Sequence, residues 1–201
     1  MRRTLLGLCT LLYLPVLSFA GKTIDVTEVG KPEFTADFPS GGEVRMHIRS
    51  GDLRIVGTDD PQLKVKYEGS RADDIRDVKV SLRSSGNVGE LRVSGGPRND
   101  FQIEISVPRN TGLYLRMPAG DLHIENVVGD KDVELHAGDL NISVGDPKDY
   151  ADVDCSVTAG DIEAGPFNVS KGGLFRHFHQ TGAGKYHLHV HAAAGDLNLL
   201  P

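Results

Sequence analysis

The chain has no tryptophan and only two cysteines, Cys9 and Cys155. Cys9 falls in a leader-like stretch, so a single cysteine lies beyond it and no internal disulfide framework can form. In ADVDCSV, Cys155 alternates with Ala151 and Val153, which reads as a small core residue and not a reactive thiol. No run of lysine and arginine stands out along the chain, and acidic residues outnumber basic ones by 28 to 22. That balance excludes nucleic acid and anionic lipid as expected partners, since both call for clustered positive charge. Also missing are a Gly-x-Ser-x-Gly elbow, a His-Glu-x-x-His pair and a phosphate loop, which removes the best-marked hydrolase, metalloprotease and nucleotide-binding classes. Helical periodicity is nearly absent. Residues 70–78 (SRADDIRDV) have some helical character and read equally well as a polar loop.

The first twenty residues have the pattern of an export signal. Arg2 and Arg3 precede an apolar run over residues 5–17, and Ser18-Phe19-Ala20 offers small residues where a signal peptidase reads. Cleavage is expected after Ala20. The run is too short to span a bilayer comfortably, so no transmembrane segment is expected after cleavage. Residues 21–201 then read as a single domain, less regular over 21–98 and repetitive over 99–201. With the leader gone, 20 basic residues face 28 acidic ones, a formal charge of −8.

What the sequence does contain is a repeated corner. SGDLRI (residues 50–55), AGDLHI (119–124), AGDLNI (137–142), AGDIEA (159–164) and AGDLNL (194–199) place Gly51-Asp52, Gly120-Asp121, Gly138-Asp139, Gly160-Asp161 and Gly195-Asp196 in matching contexts. Glycine supplies a backbone geometry that a Cβ resists, and aspartate can bond the backbone beside it, so Gly-Asp turns one strand sharply into the next. Strands are written plainly as alternation in VRMHI, LKVKY, VKVSL, FQIEISV, LYLRM, VELHA and LNISV. The glycines are 69, 18, 22 and 35 residues apart. Two of these intervals match one coil of a β-solenoid, 69 fits three coils, and 35 fits one coil with an insertion. The expected fold is all-β, a β-solenoid or β-helix-like array of short strands. A β-sandwich of hairpins is the alternative, because Gly-Asp between strands can also close a hairpin.

These features resemble the bacterial "putative adhesin" family of unknown function, often labelled DUF4097. The residues that carry the resemblance are ISVPRNTGLYLRMPAGDLHIENVVGD, VELHAGDLNISV, VTAGDIEA and GGLFRHFHQTGAGKYHLHVHAAAGDLNLL, and the match covers residues 43–199. The resemblance implies a secreted β-solenoid-like domain in the bacterial envelope. It brings no catalytic residues with it.

Candidate sites are few. Five of the eight histidines fall between His177 and His191. On a strand, His187, His189 and His191 share one face with neighbours about 7 Å apart. Such a row can supply ligands to zinc or copper, with His177 or His179 completing the set, or can simply be a polar strand face. No other cofactor is indicated. One aspartate per corner is too sparse for a calcium-binding roll, so the corner aspartates read as turn caps. Asp152 and Asp154 share a strand face and are the only candidates for a carbohydrate-active enzyme, which with no tryptophan platform is the weakest reading. The segment PFNVSKGGLFRHFHQTGAGKYHLHV interrupts the repeat. Leu174, Phe175 and Phe178 have helix-like spacing there, and the segment reads as a plug over one end of the array or as a loop presenting aromatics. The expectation is a non-enzymatic protein of the periplasm or cell surface, a binding or scaffold module for an envelope partner, protein or glycan. A His-rich metal-binding envelope protein is the alternative.

Overall fold

A computed structural model describes residues 23–69, 75–97 and 100–201. The expected signal segment, with Cys9, lies outside the described residues, as do residues 70–74 of the stretch with helical character. Its described remainder is a turn at residues 75–77 leading into buried Val78. Among the described residues, no helix is long and apolar enough to cross a membrane.

The chain is all-β and forms two nine-stranded mixed sheets. The first runs, in spatial order, β1 (Ile24–Val29), β6 (Lys79–Ser85), β7 (Val88–Ser94), β3 (Glu43–Ile48), β9 (Gly112–Ala119), β11 (Lys131–Ala137), β17 (Tyr186–Ala194), β13 (Tyr150–Ala159) and β16 (Leu174–Thr181). The second runs β15 (Val169–Lys171), β14 (Ile162–Ala164), β18 (Leu197–Leu200), β12 (Leu140–Ser143), β10 (Leu122–Glu125), β4 (Asp52–Thr58), β8 (Gln102–Pro108), β5 (Gln62–Glu68) and β2 (Glu33–Asp37). Alternation dictates the burial. In β3, Val44, Met46 and Ile48 are buried while Arg45 and His47 face outward. The inward residues of both sheets form one core cluster, so the two sheets pack as a sandwich.

The middle of each sheet is parallel. β7, β3, β9, β11, β17 and β13 are parallel neighbours in the first sheet. In the second, β8, β4, β10, β12, β18 and β14 follow in the same order. Each first-sheet strand is thus followed in the chain by its counterpart in the second. The Gly-Asp corners make five of these crossings, from one sheet to the other, and do not close hairpins.

The stack order is not the chain order. The unit β7–β8 lies outside β3–β4, and β17–β18 sits between β11–β12 and β13–β14. The 69-residue interval therefore does not hold three stacked coils. Gly51 and Gly120 are direct neighbours across the stack, with Leu53 N–H donating to the Asp121 carbonyl at 2.8 Å. Between them the chain makes antiparallel β5 and β6 and the one unit β7–β8.

Stacking explains why the corner is Gly-Asp. Gly138 has φ +131°, and a Cβ there would run into the carbonyl oxygen of Gly120. Only glycine lets successive corners approach that closely. The aspartates do not cap their own turns. Asp121 Oδ1 accepts from Asp139 N–H, Asp139 Oδ1 from Asp196 N–H, and Asp196 Oδ1 from Asp161 N–H, each at 2.9 Å. Asp161 Oδ1 ends the series by accepting from Gly173 N–H at 3.0 Å. Asp121, Asp139 and Asp196 each tie their corner to the next.

The interrupting segment is strand, not helix. β16 pairs antiparallel with β13, and β15 with β14, so the segment occupies the end of both sheets. Phe167 and Phe178 are buried there at 5.6 Å between rings, whereas Leu174 and Phe175 are exposed. Cys155 is fully buried, and burial pushes its thiol up to about 12. Lys131 is also buried. Its ammonium donates to the Gly129 carbonyl at 3.2 Å and to the Tyr150 hydroxyl at 3.1 Å.

Candidate binding face

The outward side chains of the first sheet follow from strand register. One row reads Arg92, His47, Arg116, Glu134, His191, Ser156, His177 across β7, β3, β9, β11, β17, β13 and β16. The next row reads Glu90, Arg45, Tyr114, Asp132, His189, Asp154, His179. The face has two halves. Acidic β11, histidine-bearing β17, acidic β13 and histidine-bearing β16 alternate on one side, and β7, β3 and β9 gather arginines on the other.

In the histidine half each ring has its own partner. His177 Nε2 is 3.1 Å from Asp154 Oδ1, and His179 Nε2 is 2.8 Å from Asp152 Oδ1. His187 Nδ1 lies 3.4 Å from Asp130 Oδ1, and His189 Nδ1 lies 3.4 Å from Asp132 Oδ1. His191 Nδ1 is 2.9 Å from Ser156 Oγ. The structure brings His187, His189 and His191 onto one outward face, but it points them at different groups. His177 and His179 are separated from them by β13, two strand spacings or about 10 Å away. Among the described residues no three His, Cys, Asp or Glu side chains are arranged to hold a metal ion. Asp152 and Asp154 are engaged with histidines and not with each other.

In the arginine half, His47 is the centre of a cross. Arg45 precedes it on β3, about 7 Å away, and Arg49 follows just past the end of that strand. Arg92 and Arg116 lie beside it on the flanking strands. Arg45 bonds Glu43 at 2.7 Å, and Arg92 is a loose 3.8 Å from Glu90. Arg116 reaches Asp132 at 2.9 Å and Glu134 at 3.0 Å, and stacks 3.9 Å from the Tyr114 ring centre. Burial works to lower the Arg116 guanidinium, but the bond and charge of Asp132 outweigh it and the net shift is upward. Arg49 and His47 make no ion pair or hydrogen bond among the described residues. Arg49, His47, Arg92, Arg116, His136 and Glu134 line an open cleft of about 480 Å³, with Met117 and Pro118 beside them. A larger groove of about 820 Å³ runs past Tyr114 and Tyr186 at the other end of the same strands.

No family model and no curated protein matches the chain. Two solved structures do. A "putative cell adhesion protein" from Clostridium sporogenes ATCC 15579 matches at TM-score 0.50 and 16% identity, over 89% of this chain and 99% of its own. A "putative adhesin" from Bacteroides fragilis NCTC 9343 matches at TM-score 0.34 and 10% identity, over 88% of this chain and 97% of its own. The first likeness establishes a shared fold across nearly the whole of both chains.

The arginine cross was invisible in the linear sequence. Its members come from VRMHIRS, ELRVS and LYLRM, and no one of these is a basic run. Parallel stacking makes the cluster by placing the three segments side by side. Basic residues thus gather on this face although no single stretch of the sequence supplies a cluster, and the whole chain remains acidic.

Proposed function

We propose that the chain is a non-enzymatic, adhesin-like binding module of the cell envelope, exported through its leader and acting in the periplasm or at the cell surface. The observation that carries this reading is the outward face of the first sheet. It presents ordered rows of arginine, carboxylate and histidine on a platform held by stacked backbone. The two parallel stacks with their corners in one line support reading the platform as a flattened solenoid, built for extended contact. The fold shared with a protein described in terms of cell adhesion supports the same reading by analogy. The partner would be an envelope or surface protein or glycan.

The test is binding of labelled chain to envelope fractions. Saturable binding is expected, reduced by reversing Arg45 and Arg116 to Glu and unaffected by reversing Arg54 and Lys64 on the second sheet. Equal effects from both pairs, or no saturable binding, would sink the reading. A zinc or copper site at His187, His189 and His191 would instead give stoichiometric metal uptake lost in His189→Ala.

A further inference from the structure

We propose that the arginine cross around His47 is a binding site for an acidic glycan, a sugar chain bearing spaced carboxylate or sulfate groups. The inference rests on the reading of this face as a partner-binding surface and names the chemistry of the partner. Arg92 and Arg116 flank His47 on adjacent strands, Arg45 precedes it on β3, and Arg49 follows just past the end of that strand. Arg45 and Arg116 are each answered by a carboxylate. Arg49 has none among the described residues, and the nearest to Arg92 is 3.8 Å away. An anion seated over His47 supplies the missing counter-charge, and guanidinium forks match planar carboxylate and tetrahedral sulfate alike.

The surroundings select among anions. The next strands carry Asp132, Glu134, Asp152 and Asp154 on the same face, so the favourable zone is only a few strands wide. Duplex DNA, with one charge per about 1.7 Å of axis, would meet those carboxylates on leaving the cleft. A short glycan segment seated within the cleft would not. The exposed large apolar residues among those described, Val29, Val128, Leu174, Phe175 and Leu200, all lie outside this cleft. Protein partners usually anchor through such groups. A sugar ring needs only modest apolar ground, which exposed Pro118 provides, and about 480 Å³ is in the range of small-ligand clefts.

Fluorescence anisotropy on the purified chain tests this with labelled oligogalacturonate, sulfated dextran, neutral dextran, polyglutamate and duplex DNA. The variant is Arg49→Ser with Arg92→Ser, both exposed, and the control is Arg54→Ser with Lys64→Ser, which removes the same charge from the second sheet. Circular dichroism confirms that both variants fold. The cleft variant is expected to bind an acidic glycan about tenfold or more weakly, while the control stays within about twofold. The tighter of the carboxylated and sulfated probes identifies the anion. Equal losses in the two variants, DNA or polyglutamate bound as tightly as glycan, or no glycan binding at all would each overturn the proposal. If glycans fail while envelope fractions still bind through this face, the functional reading stands without the glycan. If neither binds, both fall.

Discussion

The Lys131 ammonium donates to the Tyr150 hydroxyl, which in turn donates to the Val144 carbonyl at 3.1 Å, all inside the core. Among the described residues no carboxylate bonds the ammonium, and burial pushes Lys131 down to about 8, with the charge of Asp130 opposing. Between pH 8 and 10 the unfolded chain holds a proton that the folded chain has released. Stability therefore rises with pH across that window, and the charged form costs the fold about 3 kcal/mol below it. Above pH 10 the sign turns, because burial raises the Tyr150 hydroxyl and the unfolded chain ionises first. Lys131→Met is expected to stabilise the protein at pH 7 by about 1–2 kcal/mol, after the loss of a donor to Gly129, and to flatten the rise between pH 8 and 10. Urea melts at several pH values read both effects. A destabilised variant with the slope intact would show that another group is responsible.

The corner ladder gives a contrast between two glycines. Gly138 (φ +131°) has the Gly120 carbonyl against the position of a Cβ, whereas Gly86 (φ +63°) has open space. Gly86→Ala should cost about 1 kcal/mol from backbone strain alone. Gly138→Ala adds a collision that backbone cannot relieve and should cost roughly 2–4 kcal/mol. Thermal unfolding of the two variants separates these contributions, and equal losses would refute the crowding argument.

The exposed edge of the first sheet is guarded by a lysine. Lys171 donates to the His177 carbonyl of edge strand β16 at 2.7 Å, close to exposed Leu174 and Phe175. Charged side chains at an edge are a common defence against strand addition from another molecule. Lys171→Thr is expected to add concentration-dependent self-association, seen by sedimentation velocity, and Lys171→Arg is expected to sediment as the unsubstituted chain does. An unchanged sedimentation profile for Lys171→Thr would assign the protection elsewhere.

Strand alternation and the Gly-Asp corners were legible because each is a local property, written in periods of two and in a dipeptide whose geometry is its own. Leu53, Leu122 and Leu140 are buried where alternation puts them. Non-local order was not legible. Nothing local to Gly195 says that its corner stacks between those of Gly138 and Gly160, since parallel neighbours have no short connection to mark them. The strand character of the segment around Phe178 was not legible either. Its i, i+1, i+4 apolar spacing mimics a helix because Leu174 and Phe175 are exposed on a strand and do not belong to the buried set. The binding face failed to announce itself in the same way: Arg92, His47 and Arg116 are far apart in sequence and become neighbours only through register.

The interleaved order has a consequence for assembly. Because β17–β18 is wedged between β11–β12 and β13–β14, the unit made of β13 and β14 has no parallel neighbour to lean on until the chain beyond Lys185 arrives. An array laid down in chain order could grow coil by coil as it emerged. This one behaves instead like a masonry arch whose keystone is set last, with both flanks waiting for it. Its closure is expected to be a single late and cooperative event.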